Sequence, residues 1–474
     1  MRAIIFLATL LIVPRIANAY EDALAYLYEP KLEPPEKLIL QNLKSHAGNA
    51  EFTFAEARSQ ELVDFFDAVE KVNPYTQGQV IVNDGILRIA QGEYLLGLSI
   101  VERGMRILET KTNPFDTILI KGLMVKGISQ LQLNSFTDAE DTFRRAQHIT
   151  HRQRGVYNRT QLPIVSFVTA TNIRQGKTFS ADQQQRFRLK VAELNFGSDS
   201  IEILPTLIDI GSYFSTRGGT IPLGAATERP LEREILFKDA VNLYDRALKI
   251  IETNYGTNDL RLLSPLRGLA KARLLQMTQR KQAEAALLRS LSVIDSNPSS
   301  DLPDTAQAMV DLADLYVVTS NKKASEIYLD AWSELQENEE TKQLASSIFG
   351  SPTRLHPQSL PFLYLNRQPD DTDSEEELFV LLNYSVSPEG RTREIKVLEK
   401  NVPNDRVRQV RQMLRGSRYR PRIFNGTLVE TEALEFRQLF LVSSKKVDTA
   451  EEARKQPKQL EEKPKTEELN VDQP

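Results

Sequence analysis

The sequence predicts an α+β multidomain chain: an all-α solenoid of stacked helix pairs, followed by a small β-β-α-β domain. Three observations lead there. Small residues recur at Gly97, Ala139, Ala181, Ala240, Ala283 and Ala324, with gaps of 42, 42, 59, 43 and 41 residues. Four prolines, Pro352, Pro357, Pro361 and Pro369, and the acidic run Asp370 to Glu377 then break every helical period. Beyond them apolar residues alternate with polar ones, as in strands.

Length and charge set the frame. At 474 residues the chain exceeds a single core and divides into two or more units. Sixty Lys and Arg against 64 Asp and Glu leave a formal charge of -4, which provides no global field toward nucleic acid or a membrane surface. A charged partner must therefore meet a local patch. The chain has no cysteine, which removes disulfides, thiolate metal ligands and cysteine nucleophiles together.

Residues 1–19 read as a signal peptide. Arg2 precedes the apolar run Ala3 to Val13, and Ala17-Asn18-Ala19 offers the small residues at which such segments are cut, after Ala19. Eleven apolar residues span about 16 Å as a helix, roughly half the hydrocarbon core, before Pro14-Arg15 interrupts them. The expected location is the periplasm; a retained membrane anchor is the other reading of this segment.

Each repeat anchor brings its neighbours with it. Four residues on stand Val101, Phe143, Gln185, Tyr244, Leu287 and Tyr328; seven on stand Gly104, Ala146, Arg188, Ala247, Ser290 and Ala331. These positions share a helical face, so a small, large, small face recurs, with Gln185 and Arg188 departing from it. Gly85 and Gly127 lie twelve residues before the first two anchors, where a small residue lets a preceding helix approach. About six helix pairs are expected within residues 20–350.

The best single matches are KGISQLQLNSFTDAEDTFRRA (Lys126 to Ala146) and DLADLYVVTSNKKASEIYLDA (Asp311 to Ala331). On these residues the chain resembles the tetratricopeptide repeat family, in its longer form, over roughly Leu62 to Leu335. The resemblance implies a right-handed solenoid whose inner face binds peptides or partner proteins. The 59-residue gap carries 17 extra residues. With Gly211 in the place of Gly85, they fall within 215–233, where three Gly and two Pro predict a loop that continues no helix.

After a linker over 351–376, Leu378 to Val386 and Thr392 to Leu398 flank Ser387-Pro388-Glu389-Gly390 and predict a β-hairpin. Asn404 or Asp405 is placed to cap a helix carrying Val407, Val410 and Leu414, which Gly416 ends. Ala433 to Val442 is the third strand. This order, with Pro388-Glu389-Gly390 at the hairpin, Arg418-Tyr419-Arg420-Pro421 after the helix and Asn425-Gly426 before the last strand, resembles the C-terminal domain of TonB-type energy transducers over residues 377–442. The resemblance implies that the last strand is an edge accepting an extended receptor peptide, with Glu435 and Arg437 beside it. The family's Tyr-Pro motif ahead of the first strand has no clear counterpart here; Pro361-Phe362-Leu363-Tyr364 is a distorted one.

Candidate partner-binding residues are therefore Arg408, Arg411, Arg415, Arg418, Tyr419, Glu435 and Arg437. Arg408, Arg411 and Arg415 share one helical face, a pattern suited to carboxylates or phosphates; the plainer alternative is a solvated face whose stems cover the core. His148 and His151 are one turn apart, but no third ligand stands at metal spacing, and helix-terminal cations are the expectation. No phosphate loop or nucleophile motif is present, so no enzyme, cofactor or metal is expected. Residues 443–474 mix Lys, Glu, Gln and Pro and are expected to be a disordered tail.

The expectation is an exported, non-enzymatic scaffold with protein or peptide partners, an accessory to TonB-linked outer-membrane transport. Two alternatives stand beside it: a membrane-anchored energy transducer, and an envelope-assembly factor whose β domain only dimerises.

Overall fold

The computed structural model describes residues 23–69, 73–221, 230–276, 279–297, 300–356, 364–366 and 378–443. The expected signal peptide and charged tail lie outside them. The chain divides into two compact units, Met1–Ile348 and Phe349–Pro474.

The first unit is a stack of antiparallel helix pairs. α1 (Pro34–Gly48) packs on α2 (Phe52–Ala68), α3 (Pro74–Ala90) on α4 (Tyr94–Lys111), and α5 (Leu119–Gln132) on α6 (Phe136–Arg154). α7 (Gln161–Arg174) and α8 (Thr178–Phe196), α9 (Leu204–Thr220) and α10 (Pro230–Tyr255), α11 (Leu263–Leu275) and α12 (Arg280–Asp295), and α13 (Leu302–Thr319) and α14 (Ala324–Glu334) continue it. α15 (Glu339–Phe349) follows. Each second helix also packs on the first helix of the next pair, which makes a solenoid.

The recurring small residues set how closely the paired helices approach. A Cβ on Gly85 would lie 2.9 Å from the Gly97 carbonyl oxygen, and one on Gly97 would lie 2.8 Å from that of Gly85. Gly127 gives its space to Phe143, and Gly211 gives its space to Tyr244. The bulky fourth position thus fills the gap left by the small residue on the opposing helix. Ala139, Ala181, Ala240 and Ala283 are fully buried at the same contact.

Two expectations need correction. There are seven pairs among the described residues, because α1 and α2 make one that the pattern missed. Ala55 stands 42 residues before Gly97 and is fully buried, but Ser59 and Leu62 follow it where a large and a small residue recur elsewhere. Of the 215–233 segment, expected as a loop, residues 215–220 and 230–233 are helix, and residues 222–229 lie outside the described residues. Relative to α3 and α4, α9 runs four residues further past its glycine and α10 begins seven residues earlier before its alanine. Gly218 and Gly219 stay helical although each costs about 1 kcal/mol relative to alanine. Gly218 sits against Phe237, 3.1 Å from where its Cβ would be. Arg217 ties the two extensions together, 2.6 Å from Glu232 and 3.0 Å from Thr178 Oγ1.

In the second unit the main sheet has the order β2 (Tyr364–Asn366), β8 (Thr431–Ser443), β3 (Leu378–Val386), β4 (Thr392–Lys400). β3 is antiparallel to both β4 and β8, whereas β2 runs parallel to the end of β8. α16 (Asn404–Gly416) lays Val407, Val410, Met413 and Leu414 on Val380, Leu382, Tyr384 and Val386. Its N-cap is Pro403 rather than Asn404 or Asp405, with no side-chain cap.

The linker expectation also changes, because β1 (Thr353–His356) pairs antiparallel with β5 (Arg418–Arg420). Within the expected connection, Thr353–His356 and Tyr364–Asn366 are thus strands of this unit, and residues 357–363 and 367–376 lie outside the described residues. Asn425-Gly426, expected to start the last strand, instead closes a separate hairpin of β6 (Arg422–Phe424) with β7 (Thr427–Val429). Both turn residues have positive φ, as a two-residue hairpin turn of this hand requires.

Candidate functional site

The β unit places the sequence-derived candidates in three environments. Tyr419 is 3% exposed, so it belongs to the core and offers no surface to a partner. Its hydroxyl donates to the Tyr384 hydroxyl at 3.2 Å, and its N–H donates to the Gly390 carbonyl at 2.9 Å, tying β5 to the hairpin turn. Arg354 of β1 sits beside both rings. Its Nη2 donates to Ser417 Oγ at 2.8 Å and its guanidinium lies 5.4 Å from the Phe436 ring. Burial lowers the guanidinium's pKa and raises that of each tyrosine.

On α16 the three arginines separate. Arg408 and Arg415 are exposed, while Arg411 is half-buried and donates to the Ile395 carbonyl at 3.1 Å. Arg418 is spent locally, donating to the Ser417 carbonyl at 3.1 Å. Of the three arginines expected on one face, Arg408 and Arg415 remain exposed for a carboxylate or phosphate.

Glu435 and Arg437 lie on the solvent face of β8, opposite Asn383 and Leu381. Arg437 stacks 4.3 Å from the Phe379 ring. Among the described residues no strand pairs with the outer side of β8 over Thr431–Phe440, while β2 occupies that side at Leu441, Val442 and Ser443. The edge is therefore partly filled by the chain itself. A strand side of this kind offers main-chain donors and acceptors to an added extended segment.

A second site escaped the sequence reading. The segment from Ala23 to Glu33 crosses the first helices of the second and third pairs. Tyr28 N–H donates to Asn83 Oδ1 at 2.7 Å, and Asn83 Nδ2 donates to the Tyr28 carbonyl at 3.1 Å. Tyr28 is 4% exposed; its hydroxyl donates to the Ile118 carbonyl and accepts from Gly122 N–H at 2.9 Å. Lys121 Nζ donates to the Leu27 carbonyl at 2.7 Å, and burial lowers its pKa. Glu29 pairs with Lys44 at 2.6 Å, which lowers the Glu29 pKa. The available signal was Asn83 itself, an amide set with Asp84 between the apolar runs Val80–Val82 and Ile86–Leu87.

His148 rests against the Phe115 ring and His151 against Phe187. Among the described residues no group of three or more His, Asp or Glu is placed to hold a metal, and no helix is long and apolar enough to cross a membrane.

No family model matches the chain, and no curated protein matches it. Among the solved structures that are similar in part are two. One is BtubC (BKLC) from P. vanneervenii, at 17% identity and a TM-score of 0.38, over 55% of this chain and 92% of that one. The other is the apo form of the quorum sensor NprR from B. thuringiensis, at 10% identity and a TM-score of 0.35, over 64% of this chain and 89% of that one. Likeness of this degree says nothing about what the chain binds. The fold itself defines the class: a helical-repeat solenoid with a small β unit.

Proposed function

We propose that the chain is an exported, non-enzymatic scaffold of the periplasm that holds one partner on the first-helix face of the solenoid and another, an extended peptide, along β8. The observation that carries this reading is the outer side of Thr431–Phe440, which lacks a strand partner among the described residues. Main-chain pairing along it would supply affinity, and Glu435, Arg437 and Leu439 would sort side chains on the exposed face. On the solenoid, Asp209, Ser212, Arg267 and Lys271 leave a polar, exposed first-helix face on α9 and α11. Two sites on one chain raise the local concentration of each partner for the other. The resemblance to TonB-type domains suggests outer-membrane receptor segments as the β8 ligand, making the chain an accessory to TonB-linked transport. Nucleic acid has no place in this reading.

The same edge favours one second reading, dimerisation through β8 in a structural envelope role. A photo-crosslinker at position 437, with captured partners identified from intact cells by mass spectrometry, separates the two. Receptor N-terminal segments support the scaffold. Capture of a second copy alone overturns it in favour of the dimer.

A further inference from the structure

The segment Ala23–Leu32 is held as a peptide ligand is held. From Leu27 to Glu33 it forms no helix or strand. Its main chain is read instead by side chains of the solenoid: Asn83 takes both polar atoms of Tyr28, and Lys121 takes the carbonyl of Leu27. Its side chains alternate in burial, Tyr28 and Pro30 inward and Glu29 and Lys31 outward, as in an extended strand. Tyr28 fills a socket at the start of α5 whose back wall is Ile118 and Gly122. Ala23 is buried, and Leu24, Tyr26 and Leu27 pack on the same core.

The first helices beneath this segment differ from α9 and α11. Asn83 on α3 is buried beneath the segment, whereas Asp209 and Ser212 on α9 and Arg267 and Lys271 on α11 are exposed on theirs. The groove under Tyr28 is thus a part of the first-helix face that the chain's own segment already covers.

We infer that Ala23–Leu32 is an intramolecular ligand of the solenoid, and that the site it fills takes extended peptides with a Leu-Tyr-x-Pro core. An external peptide enters only by displacing the chain's own segment. The join to the solenoid, Glu33-Pro34-Pro35, provides a stiff hinge about which the segment leaves as one piece. Apparent affinity for an outside peptide is then the intrinsic affinity reduced by the fraction of molecules whose segment is detached. This inference rests on the reading of the first-helix face as a peptide-binding surface and names its ligand chemistry there.

The test uses the full chain and a fluorescein-labelled synthetic peptide of residues 23–33, followed by anisotropy. The Tyr28→Ala chain, whose own segment is weakened while the groove is untouched, is expected to bind the peptide at least about tenfold more tightly than the wild type. Adding Asn83→Leu to that variant is expected to abolish binding, and a peptide with alanine at the Tyr28 position is expected not to bind. Equal affinity in wild type and Tyr28→Ala, or no binding to a Tyr28→Ala chain that circular dichroism shows folded, overturns the inference. Hydrogen exchange on the wild type needs no variant: the Tyr28 amide is expected to exchange at least about tenfold faster than those of Val82 to Leu87, through local opening. Exchange at the same rate would make the segment an integral part of the core and overturn the inference equally. A chain that captures partners at position 437 in cells but fails these tests keeps the scaffold reading and loses only this one.

Discussion

Asn83 holds Tyr28 by both main-chain polar atoms, at 2.7 and 3.1 Å, across 55 residues of sequence. A carboxamide is the neutral side chain that offers one donor and one acceptor in the geometry a peptide unit needs. Leucine at this position would leave a buried N–H and a buried C=O without partners. Asn83→Leu is therefore expected to speed exchange of the Tyr28 amide by a factor of ten or more, about 1–3 kcal/mol of local stability. Unchanged exchange would mean that packing of the ring alone holds the segment.

Burial raises the pKa of the Tyr28 phenol above its ordinary value near 10. A folded pKa above the unfolded one contributes stability in full below about pH 10, and that contribution is lost as the pH rises toward the folded value. The absorbance of tyrosinate reads this directly. The difference between wild type and Tyr28→Phe is expected to show one phenol ionising only above the pH at which exposed tyrosines do. A difference curve centred near pH 10 would show the hydroxyl to be solvated.

Gly85→Ala puts a methyl group 2.7 Å from Val101 and 2.9 Å from the Gly97 carbonyl oxygen. Neither neighbour is a flexible chain end, so the second pair must open. A loss of about 3 kcal/mol in urea unfolding is expected. Gly48→Ala is the internal comparison. That position ends α1 with no atom within 4 Å of an added Cβ, and a gain of about 0.5 kcal/mol is expected there.

Arg354 and Ser417 test whether β1 is held by the β unit. Removing the hydroxyl in Ser417→Ala leaves a half-buried guanidinium short of a partner 2.8 Å away. Its expected cost is about 1–2 kcal/mol, read by hydrogen exchange in β3. In an Arg354→Met background the same change is expected to cost less, since only the bond from Ser417 Oγ to the Met413 carbonyl is then lost. Equal costs in both backgrounds would show that the two side chains do not interact.

Replacing Tyr364-Leu365-Asn366 with Gly-Ser-Gly removes the strand beside Leu441, Val442 and Ser443. The bare side of β8 lengthens, and edge pairing between copies becomes easier. Sedimentation velocity is expected to show a larger dimer fraction than for wild type. An unchanged distribution would show that β2 plays no part in shielding the edge.

The repeat was legible wherever size alternated. Gly85, Gly97, Gly127 and Gly211 mark close approaches, and a missing side chain facing a bulky one is visible as a spacing. The first pair was hidden because Ser59 and Leu62 reverse the sizes that follow every other anchor. The helical nature of residues 215–220 was hidden because Gly218 and Gly219 read as breakers, when Gly218 makes room for Phe237. The β-hairpin and helix after residue 377 followed from period and turn chemistry. β1 did not, since Pro352 and Pro357 bracket a strand only four residues long whose partner is 65 residues downstream. The binding segment at Tyr28 carries no period at all; its meaning lies in Asn83 and Lys121, far away in sequence.

That distance has a kinetic side. Chains are made from the N-terminus onward, yet the Tyr28 hydroxyl finds its partner 94 residues later, at Gly122. Until that stretch has emerged, the aromatic segment has no socket. Closing so long a loop adds an entropic delay that the local helix pairs do not face. The segment is made well before its socket and is therefore among the last to settle, and the nascent chain carries both an exposed Leu-Tyr-x-Pro stretch and an open groove, a window in which chaperones have something to hold.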